Sequence, residues 1–234
     1  VFVAMRGSAA DGHDFIADAR QRGAVAVVAE RPVAGAGAVV TVPDTRRALA
    51  ELAAAFYGQP SEHLTVIAVT GTNGKTTTTY LVESILAHAG CSTGVIGTIN
   101  HRYAGVSHPS PVTTPESLDL QRILAEMRAA GVSHVVVEAS SHAIELQRIH
   151  ACWIDVGVFT NLSQDHLDFH GSMAAYWATK RRLFTRCLPS GPKAGRAVAV
   201  INADSPHGRE LAEGLSMRVI RTGTRPGCDV RAER

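Results

Sequence analysis

Residues 65–81, "TVIAVTGTNGKTTTTYL", join an apolar strand to a helix through a glycine-rich turn. Glycines let backbone N–H groups face phosphate oxygens, and a helix N-terminus adds a favourable partial charge. The general phosphate-binding loop, G-x-x-x-x-G-K-[ST], would need a glycine at position 69, where this chain has Val69. Either the site lacks one of its parts, or it is a different kind of nucleotide loop.

A GK-T sequence that follows a strand and begins a helix favours nucleotide binding over a simple tight turn. Lys75 would reach the terminal phosphates, and the Thr76 hydroxyl would bind Mg²⁺. The predicted nucleotide-binding residues are Gly71, Thr72, Asn73, Gly74, Lys75, Thr76 and Thr77.

Composition narrows the function classes. A net charge of +2 is too small to indicate a nucleic-acid partner. The sequence contains no run of about 18 apolar residues, so no membrane span is expected. The four cysteines are far apart and form no C-x-x-C pair, which fits a reducing cytoplasm better than disulfides or zinc. Only three residues are lysines, namely Lys75, Lys180 and Lys193, although Lys and Arg together number 23.

Short apolar strands alternate with helices along the whole chain, which predicts an α/β fold. We expect a partial Rossmann-like N-terminal domain in residues 1–60. Residues 61–234 would form a P-loop ATPase domain, a mostly parallel β-sheet with helices on both faces. Residues 58–63 are the predicted linker. Two long helices are predicted, one over 172–187 and one that begins with Thr114 as N-cap and Pro115 at its first position.

Ligands of such sheets bind at the carboxyl ends of the strands, where three further residues stand out. Glu138 ends the strand in "HVVVEASSH"; alone it could equally be a capping or salt-bridge residue, but beside the glycine loop a Mg²⁺ ligand is favoured. His166, in "FTNLSQDHLDFHG", lies in a polar loop after a strand, and neutral imidazole is a competent metal ligand. Lys180, in "AYWATKRRLF", has the spacing of a surface lysine beside Arg181 and Arg182.

Together these segments resemble the Mur ligase family. The motifs that carry the resemblance are "TGTNGKTT", "TTPESLDLQ", "EASSHAIELQRI" and "FTNLSQDHLDFHGSMAAYWATKRRLF". Residues 2–30 also look like the first domain of that family. The family's loop is a G-T-N-G-K-T variant without the distal glycine, which accounts for Val69 and implies ATP.

The resemblance is nearest to the branch that adds the third amino acid of the peptidoglycan stem. It implies transfer of the γ-phosphate of ATP to a carboxylate, followed by displacement of phosphate by an amine. The substrates would be UDP-MurNAc-L-Ala-D-Glu and meso-diaminopimelate, with L-lysine as the alternative amino acid. Rivals are a folylpolyglutamate synthase, the ligase half of cyanophycin synthetase, and a nucleotide-binding relative without ligase activity. We expect a cytoplasmic monomer.

The resemblance also implies roles for individual residues. Thr76 and Glu138 would bind one Mg²⁺, and Glu138, His166 and a carbamylated Lys180 would serve a second. A bare ammonium would repel Mg²⁺, whereas a carbamate is anionic and supplies oxygen ligands. The implied catalytic residues are Lys75, Glu138, His166 and Lys180.

The implied contacts to the UDP-muramoyl-dipeptide are Thr113, Thr114, Ser140 and Arg148, the last through bidentate donors for an anionic group. Leu146 departs from the polar residue that the family often has there, and His142 stays open between a supporting and a packing role.

We also expect a fragment. The chain opens with Val1 and lacks the family's D-S-R segment, the adenine-side part of the central domain and the C-terminal domain with its D-N-P-R type motif. Such a fragment would bind ATP·Mg²⁺ weakly without completing amide synthesis.

Overall fold

The structure is a computed structural model that describes residues 1–7, 10–33, 35 and 37–233. The strands of the described chain are β1 (Phe2–Val3), β2 (Ala26–Ala29), β3 (Ala38–Thr41), β4 (Thr65–Thr70), β5 (Thr93–Ile96), β6 (Asn100–Tyr103), β7 (Val106–Pro109), β8 (His134–Glu138), β9 (Val156–Phe159), β10 (Val198–Asn202), β11 (Arg218–Gly223) and β12 (Val230–Arg231). The helices are α1 (Ile16–Gln21), α2 (Thr45–Phe56), α3 (Lys75–His88), α4 (Ser117–Ala129), α5 (Ser141–Glu145), α6 (Leu167–His170), α7 (Met173–Arg182) and α8 (Pro206–Glu213).

The strands of the described chain form two sheets. The first is parallel, in the order β1-β2-β3, and has its own small apolar core. The second has the order β12-β11-β10-β9-β4-β8-β5-β6-β7 and is parallel from β12 to β5. The predicted α/β class with a mostly parallel sheet is confirmed. The segment predicted as a linker contains a 3-10 turn over Pro60–His63.

Helices cover both faces of the large sheet, as predicted. Val82 and Leu86 of α3 pack on one face, against a core that includes Ile67 and Val136. Apolar residues of α4, α5, α7 and α8 belong to the larger core on the other face. This arrangement leaves the carboxyl end of the central strand β4 open for the glycine loop.

The register of β4 sets the geometry of the site. Val69 lies opposite Glu138 of β8, and Thr70 lies opposite Phe159 of β9. The loop after β4 therefore emerges between the ends of two neighbouring strands. Segments about 70 and about 90 positions apart in the sequence meet at this edge.

The start of α4 differs from the prediction. The helix begins at Ser117 after an extended Glu116, so Thr114 is not its N-cap and Pro115 is not its first residue. The Thr114 hydroxyl instead donates to the backbone carbonyl oxygen of Glu138 at 2.7 Å. A residue that precedes proline is also disfavoured in the helical region.

Two further elements differ. The strand that the alternation predicts after α3 would run over 93–99, but it ends at Ile96, and an antiparallel hairpin of β6 and β7 follows it. Its turn has positive φ at Ala104 and Gly105, a conformation that Asn-Gly would signal and Ala-Gly does not. The helix predicted over 172–187 ends at Arg182 and continues as a wider π-type turn, Leu183–Cys187.

Candidate nucleotide and substrate site

Two glycines give the loop after β4 its shape. Gly71 has φ +146° and Gly74 has φ +83°, both in the region that favours glycine. A Cβ atom at Gly71 would overlap the Thr160 hydroxyl, whereas the space beside Gly74 is open. The loop therefore packs tightly against the segment after β9 on one side and leaves room at the start of α3.

Lys75 is the first residue of α3 and folds back over the loop. Its Nζ donates to the carbonyl oxygens of Gly71, at 3.1 Å, and Thr72, at 2.9 Å. Burial lowers the pKa of Lys75, and the carboxylates of Glu138 and Asp165 act in the opposite direction. The ammonium group is thus already held at the loop.

Lys180 lies at the same loop. Its side chain is 1% exposed, and its Nζ donates to the Gly71 carbonyl oxygen at 2.8 Å. The same Nζ lies 4.4 Å from the centre of the Tyr176 ring. Burial, and then the nearby Lys75, lower the pKa of Lys180 to about 7, against a smaller effect of Asp165. The surface-lysine interpretation is wrong, because α7 turns this residue inward.

Tyr176 was missed in the sequence. It is fully buried, and its hydroxyl lies 3.2 Å from the Thr72 Oγ1. Its ring stands near those of His166, at 6.1 Å, and His170, at 5.1 Å between centroids. Its position four residues before Lys180 on a helix is the signal that could have placed it on the same face.

Glu138 is 1% exposed at the end of β8. Its carboxylate accepts hydrogen bonds from the backbone N–H of Thr98 at 3.2 Å and from the Thr98 hydroxyl at 2.9 Å. Among the described residues the polar partners of this carboxylate are the two groups of Thr98 and not a cation, so the salt-bridge alternative is not what the structure shows. Thr98 was not singled out in the sequence.

His166 has φ +51° and stands before α6, a short helix in the segment predicted as a loop. Its Nε2 lies 3.3 Å from a carboxylate oxygen of Asp165. Its ring meets that of His142 edge to face, with centroids 4.9 Å apart. Burial, and then His166, lower the pKa of His142. His142 therefore packs against His166, a contact that fits either the supporting or the packing role considered for it.

Within the described part of the chain, no three His, Cys, Asp or Glu side chains lie close enough to hold a metal ion together. A metal site built from the predicted residues would therefore have to include oxygen donors of another kind. The Thr76 hydroxyl, on the half-buried first turn of α3, is one, and a modified Lys180 would be another. Thr77 follows on the same turn and is exposed.

The predicted substrate contacts form one hydrogen-bonded group. The Thr114 hydroxyl lies 3.2 Å from that of Ser140, which caps α5. Arg148 donates to the Thr114 carbonyl oxygen at 3.1 Å and pairs with the missed Glu116 at 2.8 Å. The Thr113 hydroxyl lies 3.1 Å from that of Thr98. The Thr98 hydroxyl also contacts the Glu138 carboxylate, so Thr98 connects Thr113 with Glu138.

No helix of the described chain is long and apolar enough to cross a membrane. A cavity of about 880 Å³ lies elsewhere, between α2, α5 and the turn after α7. The loop after β4 is not part of its lining.

Known proteins resemble the chain over its whole length. It is 49% identical to a UDP-N-acetylmuramoyl-L-alanyl-D-glutamate–2,6-diaminopimelate ligase of Geobacter metallireducens, a match that covers 100% of this chain and 46% of that protein. A solved structure of a ligase of the same name has a TM-score of 0.83 and 30% identity over 97% of this chain and 46% of its own. The MurF ligase of Thermotoga maritima, solved in complex with ADP, has a TM-score of 0.63 and 26% identity over 97% of this chain and 48% of its own.

The chain thus spans about half the length of the curated relatives it matches. A model of the Mur ligase middle domain matches residues 69–233, and one described as the Mur ligase family catalytic domain matches residues 1–57. The first of these alone covers more than half of the chain. The chain therefore belongs to the Mur ligase family.

Proposed function

We propose that this chain is the ATP-binding part of a ligase that joins meso-diaminopimelate to UDP-N-acetylmuramoyl-L-alanyl-D-glutamate in peptidoglycan synthesis. The observation that carries the proposal is the buried contact between Lys180 and the Gly71 carbonyl oxygen. It brings the most specific part of the "FTNLSQDHLDFHGSMAAYWATKRRLF" motif onto the nucleotide loop. The relatives that match over the whole chain carry this activity in their names.

The nucleotide would bind at the start of α3. The residues from Gly71 to Thr77 supply the loop, the open space beside Gly74 admits phosphate, and the helix N-terminus favours its charge. The flexible side chain of Lys75 would turn from the loop carbonyl oxygens to a phosphate. ATP, when bound, supplies the phosphoryl group that activates a carboxylate for attack by an amine.

Two Mg²⁺ ions would be held by Thr76, Glu138, His166 and a carbamylated Lys180. Mg²⁺ prefers oxygen ligands, and, when bound, it neutralises charge that develops on the phosphates. Lys180 is buried and has no carboxylate within hydrogen-bonding distance in the described chain. Addition of CO₂ to its neutral amine, with loss of one proton, gives an anionic carbamate with two oxygens, which would turn an unpaired buried cation into a ligand.

The muramoyl-dipeptide would bind along Thr113, Thr114, Ser140 and Arg148. Arg148 offers a guanidinium for an anionic group, and Glu116 holds it in place. Leu146 adds no polar contact. L-lysine is the alternative amino acid, because none of these four residues distinguishes the two amines. We place the reaction in the cytoplasm and expect a monomer.

The test is a chimaera in which this chain replaces the matching region of the Geobacter metallireducens relative. We expect phosphate release from ATP that depends on both UDP-MurNAc-L-Ala-D-Glu and meso-diaminopimelate. Phosphate release that depends on L-lysine instead would change the amino acid in the proposal and leave the proposed reaction class unchanged. A chimaera that binds nucleotide but releases no phosphate with either amine would favour a nucleotide-binding relative without ligase activity.

A further inference from the structure

Asn161, the second residue after β9, holds the phosphate loop through three hydrogen bonds. Its backbone carbonyl oxygen accepts the N–H of Thr72 at 2.9 Å. Its side-chain Oδ1 accepts the N–H of Asn73 at 3.0 Å, and its Nδ2 donates to the Asn73 carbonyl oxygen at 3.1 Å. The side chain of Asn161 thus pairs with both backbone polar groups of Asn73, as a neighbouring strand would.

Two neighbours of Asn161 hold the same two loop residues. The Thr160 hydroxyl donates to the Asn73 carbonyl oxygen at 2.7 Å. The backbone N–H of Ser163 donates to the Thr72 Oγ1 at 3.0 Å. The loop from β4 is therefore fastened along one side to the segment that follows β9.

These bonds divide the amide groups of the loop into two sets. The N–H groups of Thr72 and Asn73 are used by Asn161. The next four N–H groups, of residues 74–77, begin a helix and have no acceptor within it. No other acceptor for these four is found among the described residues. They are the donors left for an anion.

We propose that Asn161 is a positioning residue that fixes the Asn73 peptide, so that the free N–H groups of residues 74–77 converge on a nucleotide phosphate. Asn161 itself does not touch the phosphate. The inference rests on the proposed function, because it assigns a bound nucleotide to these donors.

The side-chain amide is required at this position for a physical reason. Asn73 presents one donor and one acceptor, and only an amide offers the matching pair. Aspartate would keep an acceptor for the N–H, but its second oxygen would face the Asn73 carbonyl oxygen. Its negative charge would also oppose an anion at the loop.

The first experiment is amide hydrogen exchange on the 234-residue chain without nucleotide. In the wild type we expect the Thr72 and Asn73 amides to be protected and those of residues 75–77 to exchange freely. Asn161→Ala should lower the protection of Asn73 by about 10-fold while that of Thr72 changes little, since Thr72 is bonded to main chain. Equal protection of Asn73 in both proteins overturns the inference.

The second experiment is titration with Mg·ADP. Asn161→Ala should raise the dissociation constant by about 10-fold, and Asn161→Asp, which keeps the volume, by more. Asn202→Ala is the matched control, because its side chain donates to the Thr160 carbonyl oxygen at the same sheet edge without contacting the loop. We expect the control to bind within about twofold of the wild type.

The two proposals fail in different ways. If wild type binds Mg·ADP and both Asn161 variants bind it equally well, the positioning role is wrong and the proposed function stands. If wild type binds no nucleotide at all, the proposed function is wrong and the assignment of phosphate to residues 74–77 falls with it. A loss of binding in Asn202→Ala as large as in Asn161→Ala would also contradict a specific role for Asn161.

Discussion

The Nζ of Lys180 and the carbonyl oxygen of Gly71 lie 2.8 Å apart, although 109 positions separate the two residues. The Nζ of Lys75 donates to the same oxygen at 3.1 Å. Two lysines therefore meet at one carbonyl group of the loop after β4. This contact connects the loop to the helix that carries the proposed carbamate, and the predictions about catalysis depend on it.

The Lys180→Met variant separates catalysis from folding. In the chimaera with the Geobacter metallireducens relative, we expect amide formation to fall by at least about 100-fold, since the proposed metal ligand is lost. We expect the free energy of unfolding to stay the same or rise, because an unpaired buried amine is replaced by an apolar side chain of similar size. Product formation and urea denaturation measure the two effects.

Arg181→Ala is the control for Lys180, because Arg181 is the adjacent, half-exposed cation on the same helix. Its activity should match the parent. Incubation with ¹³C-labelled bicarbonate and Mg²⁺ should give a carbamate resonance in the parent and none in Lys180→Met. A parent without that resonance, or a Lys180→Met variant with full activity, argues against the carbamate.

Lys193 is predicted to have a structural role only. It is 2% exposed and pairs with Asp155, whose carboxylate also accepts the N–H of Val66 at 2.8 Å. Lys193→Ala should lower the free energy of unfolding by about 2 kcal/mol, because it leaves a partly buried carboxylate with only the exposed Arg196 as a nearby cation. Chemical denaturation measures this. An undiminished stability would show that Arg196, 3.4 Å from the same carboxylate, compensates and that the assignment is wrong.

Arg148→Ala should weaken the binding of the muramoyl-dipeptide and leave the binding of the nucleotide unchanged. We expect KM for the UDP-linked substrate to rise by about 10- to 100-fold, with KM for ATP nearly constant. Glu116→Gln should give a smaller change in the same direction, because it loosens the Arg148 guanidinium without removing it. Arg128→Ala, an exposed arginine in the last turn of α4, is the control. A parallel rise in both KM values would point to damage of the fold instead.

The cysteines should differ in their reaction with iodoacetamide. Burial raises the pKa of Cys152 to about 12 and that of Cys187 to about 11. At pH 8 the Cys152 thiolate is then about one part in 10⁴, and thiolate is the reactive form. We expect mass spectrometry to find native-state modification at Cys91 and Cys228 first. As pH rises from 9 towards 12, the unfolded thiols ionise before the native ones, so native stability should fall over that range.

Modification of Cys152 at pH 8 as fast as that of Cys91 would contradict its burial. The denatured protein is the control, because all four thiols should then react at similar rates.

Local patterns were enough to predict the shape of the loop after β4. A buried strand, two glycines and a lysine that opens a helix are contiguous, and the loop formed where these residues predicted it. The alternation of strands and helices likewise gave the parallel sheet. The β6–β7 hairpin was missed because its turn uses Ala104 and Gly105 rather than a strong turn pair.

Tertiary placement was not accessible in the same way. Spacing favoured a surface position for Lys180, because Arg181 and Arg182 follow it. It is buried because α7 packs beside the loop, with Tyr176 one turn earlier under its amine. The contacts of Asn161 depend on β9 lying next to β4, a pairing between segments about 90 residues apart. No local sequence pattern predicts which strand lies beside β4.

The central claim is that the loop after β4 binds the phosphates of ATP. It is tested most directly by calorimetric titration of the 234-residue chain with Mg·ADP, beside Lys75→Ala and with Arg128→Ala as the control. We predict saturable one-to-one binding by the wild type and the control, and an affinity lower by about 10- to 100-fold in Lys75→Ala. Absence of saturable binding by the wild type, or equal affinity of the wild type and Lys75→Ala, would contradict the claim.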